Sequence, residues 1–509
     1  MQALSFSLIS QRGPGATRSM KVLLASAEAL PFAKVGGLAD VVGSLPGALR
    51  RLGVDARVML PGYGFIDHAQ FGVERLLSFE FSHRLGVSNV TLYAVAHDGI
   101  PFYLMQSAPY FGSEGEVYSQ WNWDMERFIF FNQATMAALH QLDEAAGWFP
   151  DVVHANDWHT ALLPFMIRAH GGDEWARLAS VISIHNVAYQ GEHAGGFLWN
   201  AGIAGRHHGD LVGLGLTNNL LGIGIAYSDL VSTVSPRYAD EIQYPYAGYA
   251  LAPLIARRAA DMRGILNGLD IDSWDPATDA ALVSNYDACD FPTARPPNKR
   301  RLQSYARLPL RGDVALVGIV SRLAAQKGFD LALPALRNVM GARDMQLVIL
   351  GTGEPEIEGA FWQLDQDFGD KARAFLQFDA ELARQIYAGC DIFLMPSHFE
   401  PCGMGQMMAM RYGALPLVRE TGGLADTVVN YDNTEAEAGT GFVFQWQESQ
   451  AVEGTLHWAL DVFEGRQRAW QRMQARSMKI DFSWRKSAGE YLAMYEQALE
   501  KRSVAAAKE

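Results

Sequence analysis

The chain has 509 residues, a formal net charge of -14 and three cysteines. At roughly 100 to 200 residues per domain, that length predicts two domains and a helical appendage rather than one core. The acidic balance disfavours nucleic acid and anionic membrane as partners, which need broad basic surfaces, but leaves room for a local cationic pocket. No apolar stretch approaches the roughly 20 residues that span a bilayer.

Residues 1–19 lack the basic start and long apolar core of a secretory signal. They are expected to form a disordered extension or to reflect start-codon choice, with a weak organelle transit peptide as the alternative. From Met20 onward, short apolar runs alternate with helical patterns: 21–25, 56–60, 152–154, 181–185 and 230–234, then 314–320, 346–350, 374–378, 392–395 and 415–418. Runs of strand length, nearly unbroken in apolar character, are those of parallel strands covered by helices on both faces. The fold class expected is α/β, with two Rossmann-like parallel-sheet domains separated by a cleft. The boundaries are 20–262 for the first domain, 263–475 for the second and 476–500 for a last helix. Cys289, Cys390 and Cys402 show no zinc or disulfide spacing and point to a reducing, cytoplasmic setting.

The pentapeptide Gly-Gly-Leu-Ala-Asp occurs twice, at 36–40 and 422–426, each time between an apolar run and a helical pattern. Glycines at a helix N-terminus let an anion approach unpaired N–H groups and the positive end of the helix dipole. Such loops also serve as plain turns between a strand and a helix, so other residues must decide.

Arg322 and Lys327 follow the run 314–320. With Lys34 they would suit a diphosphate leaving group, the guanidinium as a planar fork and each ammonium as a point charge. Glu400, flanked by Phe399, Pro401 and Cys402, is poorly placed for a solvated acid. It could balance charge developing on a sugar carbon, as an oxocarbenium-like transition state requires, or simply pair with a nearby cation. In His154-Ala-Asn-Asp-Trp-His159, the spacing does not match a helical metal-binding pair, and Asp157 and Trp158 suit sugar hydroxyls and faces better. The triplets Asp270-Ile-Asp272 and Asp365-Gln-Asp367 are rejected as metal sites. Gly351-Thr-Gly353 lacks the third glycine of a dinucleotide fingerprint.

The words Lys34-Val-Gly-Gly-Leu-Ala-Asp, His154-Ala-Asn-Asp-Trp-His, His185-Asn-Val-Ala-Tyr-Gln-Gly, Thr233-Val-Ser-Pro-Arg-Tyr-Ala-Asp-Glu-Ile, Gly264-Ile-Leu-Asn-Gly-Leu-Asp, Ser321-Arg-Leu-Ala-Ala-Gln-Lys-Gly, Phe399-Glu-Pro-Cys-Gly-Met and Thr421-Gly-Gly-Leu-Ala-Asp-Thr-Val appear in the order found in bacterial glycogen synthases and plant starch synthases. From about Met20 to about Leu499 the chain resembles that family. The resemblance implies a GT-B fold and transfer of glucose from ADP-glucose to the 4-hydroxyl of an α-1,4-glucan, with retention and without a metal cofactor. It also implies that Lys34, Arg322 and Lys327 bind the diphosphate, and that Glu400 stabilises the transition state with His185 near the same sugar. Asp157 would lie near the reacting sugars. Gly36, Gly37, Asp40, Asn186, Cys402, Gly403, Met404, Thr421 and Gly422 would complete the substrate site, and the last helix would cross back to the first domain.

Met404 stands where the family often has Leu, and Phe378-Asp379 where an aromatic followed by His or Asn is common, near the expected adenine position. Phe378 can still stack on the base, and ADP-glucose is expected over UDP-glucose. The rivals are an inactive glucan-binding scaffold of the same fold, which would be expected to lose one of Lys34, Arg322, Lys327 or Glu400, and a glucan phosphorylase-like enzyme, which would carry pyridoxal phosphate on a lysine.

Overall fold

A computed structural model describes residues 19–432 and 438–506; the extension expected over 1–19 lies, apart from Ser19, outside the described residues. The first half is built on a nine-stranded sheet: β1 Lys21–Ala25, β2 Asp55–Pro61, β3 Glu74–His83, β4 Gly86–His97, β5 Ile100–Gln106, β6 Val152–Asn156, β7 Ala179–Ile184, β8 Leu230–Thr233 and β9 Met262–Gly264. The second half has a six-stranded sheet: β10 Ala315–Val320, β11 Met345–Leu350, β12 Ala372–Phe375, β13 Ile392–Met395, β14 Leu415–Arg419 and β15 Phe442–Phe444.

The second sheet runs β12-β11-β10-β13-β14-β15, every pair parallel. Counted from β10, this is the order 3-2-1-4-5-6 of a dinucleotide-binding sheet, whose ligand crevice opens where the order reverses, between its first and fourth strands. Strands β5-β2-β1-β6-β7-β8 repeat that parallel order in the first sheet, with the antiparallel pair β3-β4 added on the β5 edge and β9 on the other. Each half therefore has one reversal point, β1/β6 in the first and β10/β13 in the second.

The apolar runs are strands because nothing in them needs water. All six residues of β7 and all six of β11 are buried. The helix Gly37–Arg51 buries Leu38, Val41, Val42, Leu45 and Leu49, one face at helical spacing. The hairpin β3-β4 escapes a search for apolar runs because β3 alternates between exposed and half-buried positions and has no fully buried residue. β12 lies two residues earlier than the run 374–378 predicts. Asp379 Oδ1 accepts the Leu382 N–H at 2.9 Å and caps the next helix, so the chain leaves the sheet after Phe375 and puts Phe378 on a loop, 87% exposed.

The halves share an apolar seam rather than a cleft along their whole length. Cys402, Met407, Met410, Leu424 and Val428 of the second half belong to the same buried cluster as the core of the first sheet. The last helix, Trp484–Ala506, packs against Gly37–Arg51 and β7, and its Tyr495 hydroxyl meets His154 Nδ1 at 2.8 Å.

The two glycine pairs differ in what surrounds them. A Cβ on Gly422 would stand 2.0 Å from the Glu400 carbonyl oxygen, and one on Gly423 1.9 Å from that of Cys402. Gly36 has nothing within 4 Å, and a Cβ on Gly37 would meet only the Met404 methyl, at 3.7 Å. Gly423→Ala should therefore cost about 3 kcal/mol or more of stability, and Gly36→Ala less than about 1 kcal/mol. Chemical denaturation of both variants checks this; equal losses would contradict the distinction.

Candidate active site

The loops leaving β1 and β6 meet at the first reversal point. Glu28, three residues beyond β1 and 3% exposed, accepts the Val35 and Gly36 N–H groups on Oε2 at 2.7 and 2.8 Å and the Tyr118 hydroxyl on Oε1 at 2.6 Å. One buried carboxylate thus fixes the loop that carries Lys34. The Lys34 ammonium is half-exposed and pairs with Asp40 Oδ1 at 2.7 Å. The Gly37 and Leu38 amides, in the first turn of their helix, have no intrahelical acceptor.

After β6, Asn156 and Asp157 orient the loop after β7. Asn156 Nδ2 donates to the Ala25 carbonyl at 3.0 Å, which turns its Oδ1 toward His185 Nε2 at 2.9 Å. With the amide fixed in that sense, Nε2 carries the imidazole proton and Nδ1 is a bare acceptor. Burial pulls the His185 pKa down to about 3, so the ring is neutral at pH 7. Asp157 sits at φ 56, an uncommon backbone for a residue with a Cβ. Its Oδ1 accepts the His185 N–H at 2.7 Å and the Asn186 N–H at 3.4 Å. Burial pushes its carboxyl up to about 7 despite those two donors, and the Glu28 charge adds to the rise. His154 serves structure, held between Tyr495 and Ser183. His159 lies stacked on Tyr118, ring centroids 5.2 Å apart.

At the second reversal point, the loops after β10 and β13 bring Lys327 and Glu400 together. Lys327 Nζ lies 3.0 and 2.7 Å from the two Glu400 carboxylate oxygens, and the Ser397 hydroxyl donates to Oε2 at 2.9 Å. An ammonium has three N–H groups, so this pair leaves Lys327 one for a further acceptor. Arg322 is exposed, with no ion pair among the described residues. Gly403 sits at φ +69, a left-handed backbone that strains any residue with a Cβ. Cys402 turns its thiol into the seam, where burial drives it up to about 12, and its carbonyl accepts Gln406 Nε2 at 3.1 Å.

The second Gly-Gly turn does not hold an open anion site. Gly422 N–H donates to Glu241 at 3.2 Å, Gly423 N–H to the Glu400 carbonyl at 3.1 Å, and the next two amides to the Thr421 carbonyl. The Thr421 hydroxyl is also taken by Glu241, at 3.1 Å. The two Gly-Gly turns are thus unlike each other: the first faces open space, while the second is filled by its own chain. A cavity of about 470 Å³ lies beside this turn on the β14 and β15 side, lined by Arg237, Glu241 and Tyr246 from the first half and by Phe399, Arg419 and Thr421 from the second.

Glu28, Tyr118, Asn156, Ser397 and Glu241 are the polar contributors that motif spacing does not single out. Only Asn156 and Glu241 fall inside the quoted words, and nothing in a linear sequence distinguishes a buried glutamate from a solvated one. Both Asp-x-Asp triplets hold structural bonds: Asp270 accepts two following amides, Asp365 pairs with Arg373 and Asp367 with Arg337.

Comparison with known proteins gives one consistent picture. A profile described as "Starch synthase catalytic domain" matches residues 21–257, and one described as "Glycosyl transferases group 1" matches residues 303–474. A glycogen synthase of Streptococcus equi subsp. zooepidemicus is 40% identical over 496 residues, covering 94% of this chain and 100% of its own length. One of Streptococcus sanguinis is 41% identical over 488 residues, with the same coverage. The structure of the catalytic domain of Starch Synthase IV from Arabidopsis thaliana, bound to ADP and acarbose, superposes with a TM-score of 0.85 at 31% identity, covering 95% of this chain and all of the other. Sucrose-phosphate synthase from Thermosynechococcus elongatus, at 17% identity and a TM-score of 0.59, shares the fold alone.

Asp157 sets a pH dependence. Its folded-state value of about 7 lies above the ordinary value of 3.8, so the native state holds its proton in the window between them. Its contribution to stability is full below pH ~4 and is lost as pH rises through ~7. Between pH 5 and 8 the thermal midpoint of the wild type should fall relative to that of Asp157→Asn, and parallel curves would contradict the shifted ionisation.

Proposed function

The chain belongs to the glycogen and starch synthase family, and from that premise we propose that it transfers glucose from ADP-glucose to the non-reducing 4-hydroxyl of an α-1,4-glucan with retention at the anomeric carbon. It is a glycosyltransferase of glycogen or starch synthesis. The observation that carries the finer reading is the Lys327–Glu400 pair at the point where the second sheet reverses. A cation and a carboxylate stand together where such a sheet presents its ligand.

In the proposed reaction, Lys34, Arg322 and the free N–H of Lys327 bind the diphosphate, joined by the Gly37 and Leu38 amides. Exposed Phe378 stacks on the base. Glu400 faces the anomeric carbon and balances its positive charge as the bond to the diphosphate oxygen breaks. The acceptor 4-oxygen bonds to that carbon on the face the diphosphate leaves, and its proton passes to the departing phosphate oxygen. Asp157 is committed to the His185 and Asn186 amides, so Glu400 is the carboxylate assigned to the donor, rather than one of the opposed pair of a double displacement. The bare Nδ1 of His185 accepts a hydroxyl of the donor glucose.

Three cationic side chains supply the charge that a metal would otherwise bring, and the reaction is proposed to need none. A cytoplasmic location is supported by three free cysteines, one of them exposed. No helix among the described residues is long and apolar enough to cross a membrane.

Glu400→Ala should lower kcat by about a hundredfold or more with a smaller change in KM, as expected for a group that acts chiefly in the transition state. An unchanged kcat would remove it from the chemistry. With glycogen as acceptor, nucleoside diphosphate release should be faster from ADP-glucose than from UDP-glucose and unaffected by a chelator. Equal kcat/KM for the two donors, or loss of activity with chelator, would overturn the corresponding part of the proposal.

A further inference from the structure

Glu241 ends the helix Pro236–Glu241, which follows β8 in the first half, yet its carboxylate is seated in the second. It is 6% exposed and accepts the Thr421 hydroxyl at 3.1 Å and the Gly422 N–H at 3.2 Å, while Arg237 Nε lies 3.2 Å from it on its own helix. Two reciprocal bonds tie the same elements together. Asp426, from the second half, accepts the Arg237 N–H at 2.8 Å, and the Ser235 hydroxyl donates to the Pro401 carbonyl at 2.7 Å.

The turn that Glu241 grips also carries Glu400. Gly423 N–H donates to the Glu400 carbonyl at 3.1 Å, and there is no room for a Cβ between the two backbones. From the Glu241 carboxylate to the backbone of Glu400 the path is thus two hydrogen bonds joined by one glycine pair, with a close packing contact beside them. A path that short has little slack, because packed backbones transmit displacement rather than absorb it.

We infer that Glu241 is a positioning residue for the transfer reaction: it seats the Thr421–Gly423 turn from across the seam, so that Glu400 takes its working position only when the halves are docked. This role rests on Glu400 facing the donor sugar, as proposed above. It explains why a charged side chain is buried at the seam in place of an apolar one. A carboxylate can satisfy an amide and a hydroxyl together, and its seating is directional in a way that hydrophobic packing is not.

The test uses the full chain and two variants, Glu241→Ala and Glu241→Gln. In the unliganded protein, hydrogen exchange at residues 421–423 should be at least about tenfold faster in Glu241→Ala than in the wild type, with β1 and β6 unchanged. With ADP-glucose and glycogen, its kcat should fall at least about tenfold while KM for the donor changes by less than about threefold. Glu241→Gln keeps a carbonyl oxygen that accepts the Gly422 N–H and should recover most of both losses. Wild-type exchange or wild-type kcat in Glu241→Ala, or a Gln variant no better than Ala, would overturn the role. Should Glu241→Ala fail to fold, Glu241→Gln decides alone: exchange faster and kcat lower by about two- to tenfold support the seat, and values within about twofold of the wild type, or a loss beyond about tenfold, overturn it. If the wild type releases no nucleoside diphosphate, the donor assignment fails, and the exchange comparison still decides whether Glu241 seats the turn.

Discussion

Two main chains pressed together govern the second half of this molecule. The carbonyl oxygens of Glu400 and Cys402 occupy the space that side chains on Gly422 and Gly423 would fill, so the loop after β13 and the turn after β14 behave as one body. Glu400 cannot shift without that turn. The turn in turn is gripped from the first half, and Lys327 and Ser397 fix the carboxylate within it. The geometry around Glu400 is therefore set by backbone contact first and by charge second.

The two halves use related sheets to reach different ends. Each has the same parallel strand order and brings its polar residues to the strand ends where that order reverses. Each also carries a Gly-Gly turn whose leading amides are bound by a buried glutamate of the chain, Glu28 in one case and Glu241 in the other. In the first half the carboxylate lies within the same sheet's loops and shapes the turn, leaving its mouth open. In the second it arrives from the opposite half and closes the turn entirely.

What could be read from the residues follows from where the physics is local. Buried parallel strands announce themselves as apolar runs, and β1 and β13 fall where those runs lie. The hairpin β3-β4, with one face to solvent, carries no such signal. β12 is displaced because a helix cap at Asp379, a side-chain hydrogen bond, overrides two apolar residues. At the site, motif words locate Lys327, Glu400, Asp157 and His185. They are silent on Glu28 and Ser397, whose roles exist only once burial and a distant amide or carboxylate are supplied. Cys402 shows the converse: a residue inside a motif whose side chain turns out to serve the seam.

The last helix leaves a mark on the life of the chain before any substrate is met. Tyr491, Tyr495 and Ala498 are buried in the core cluster of the first sheet, and Tyr495 completes the hydrogen bonding of His154 in the middle of β6. These residues follow the whole of the second half in the chain. The first half therefore cannot complete its core until the second has been synthesised. A chain ending before Trp484 would keep every strand of both sheets and yet leave bare the side of β7 that this helix covers.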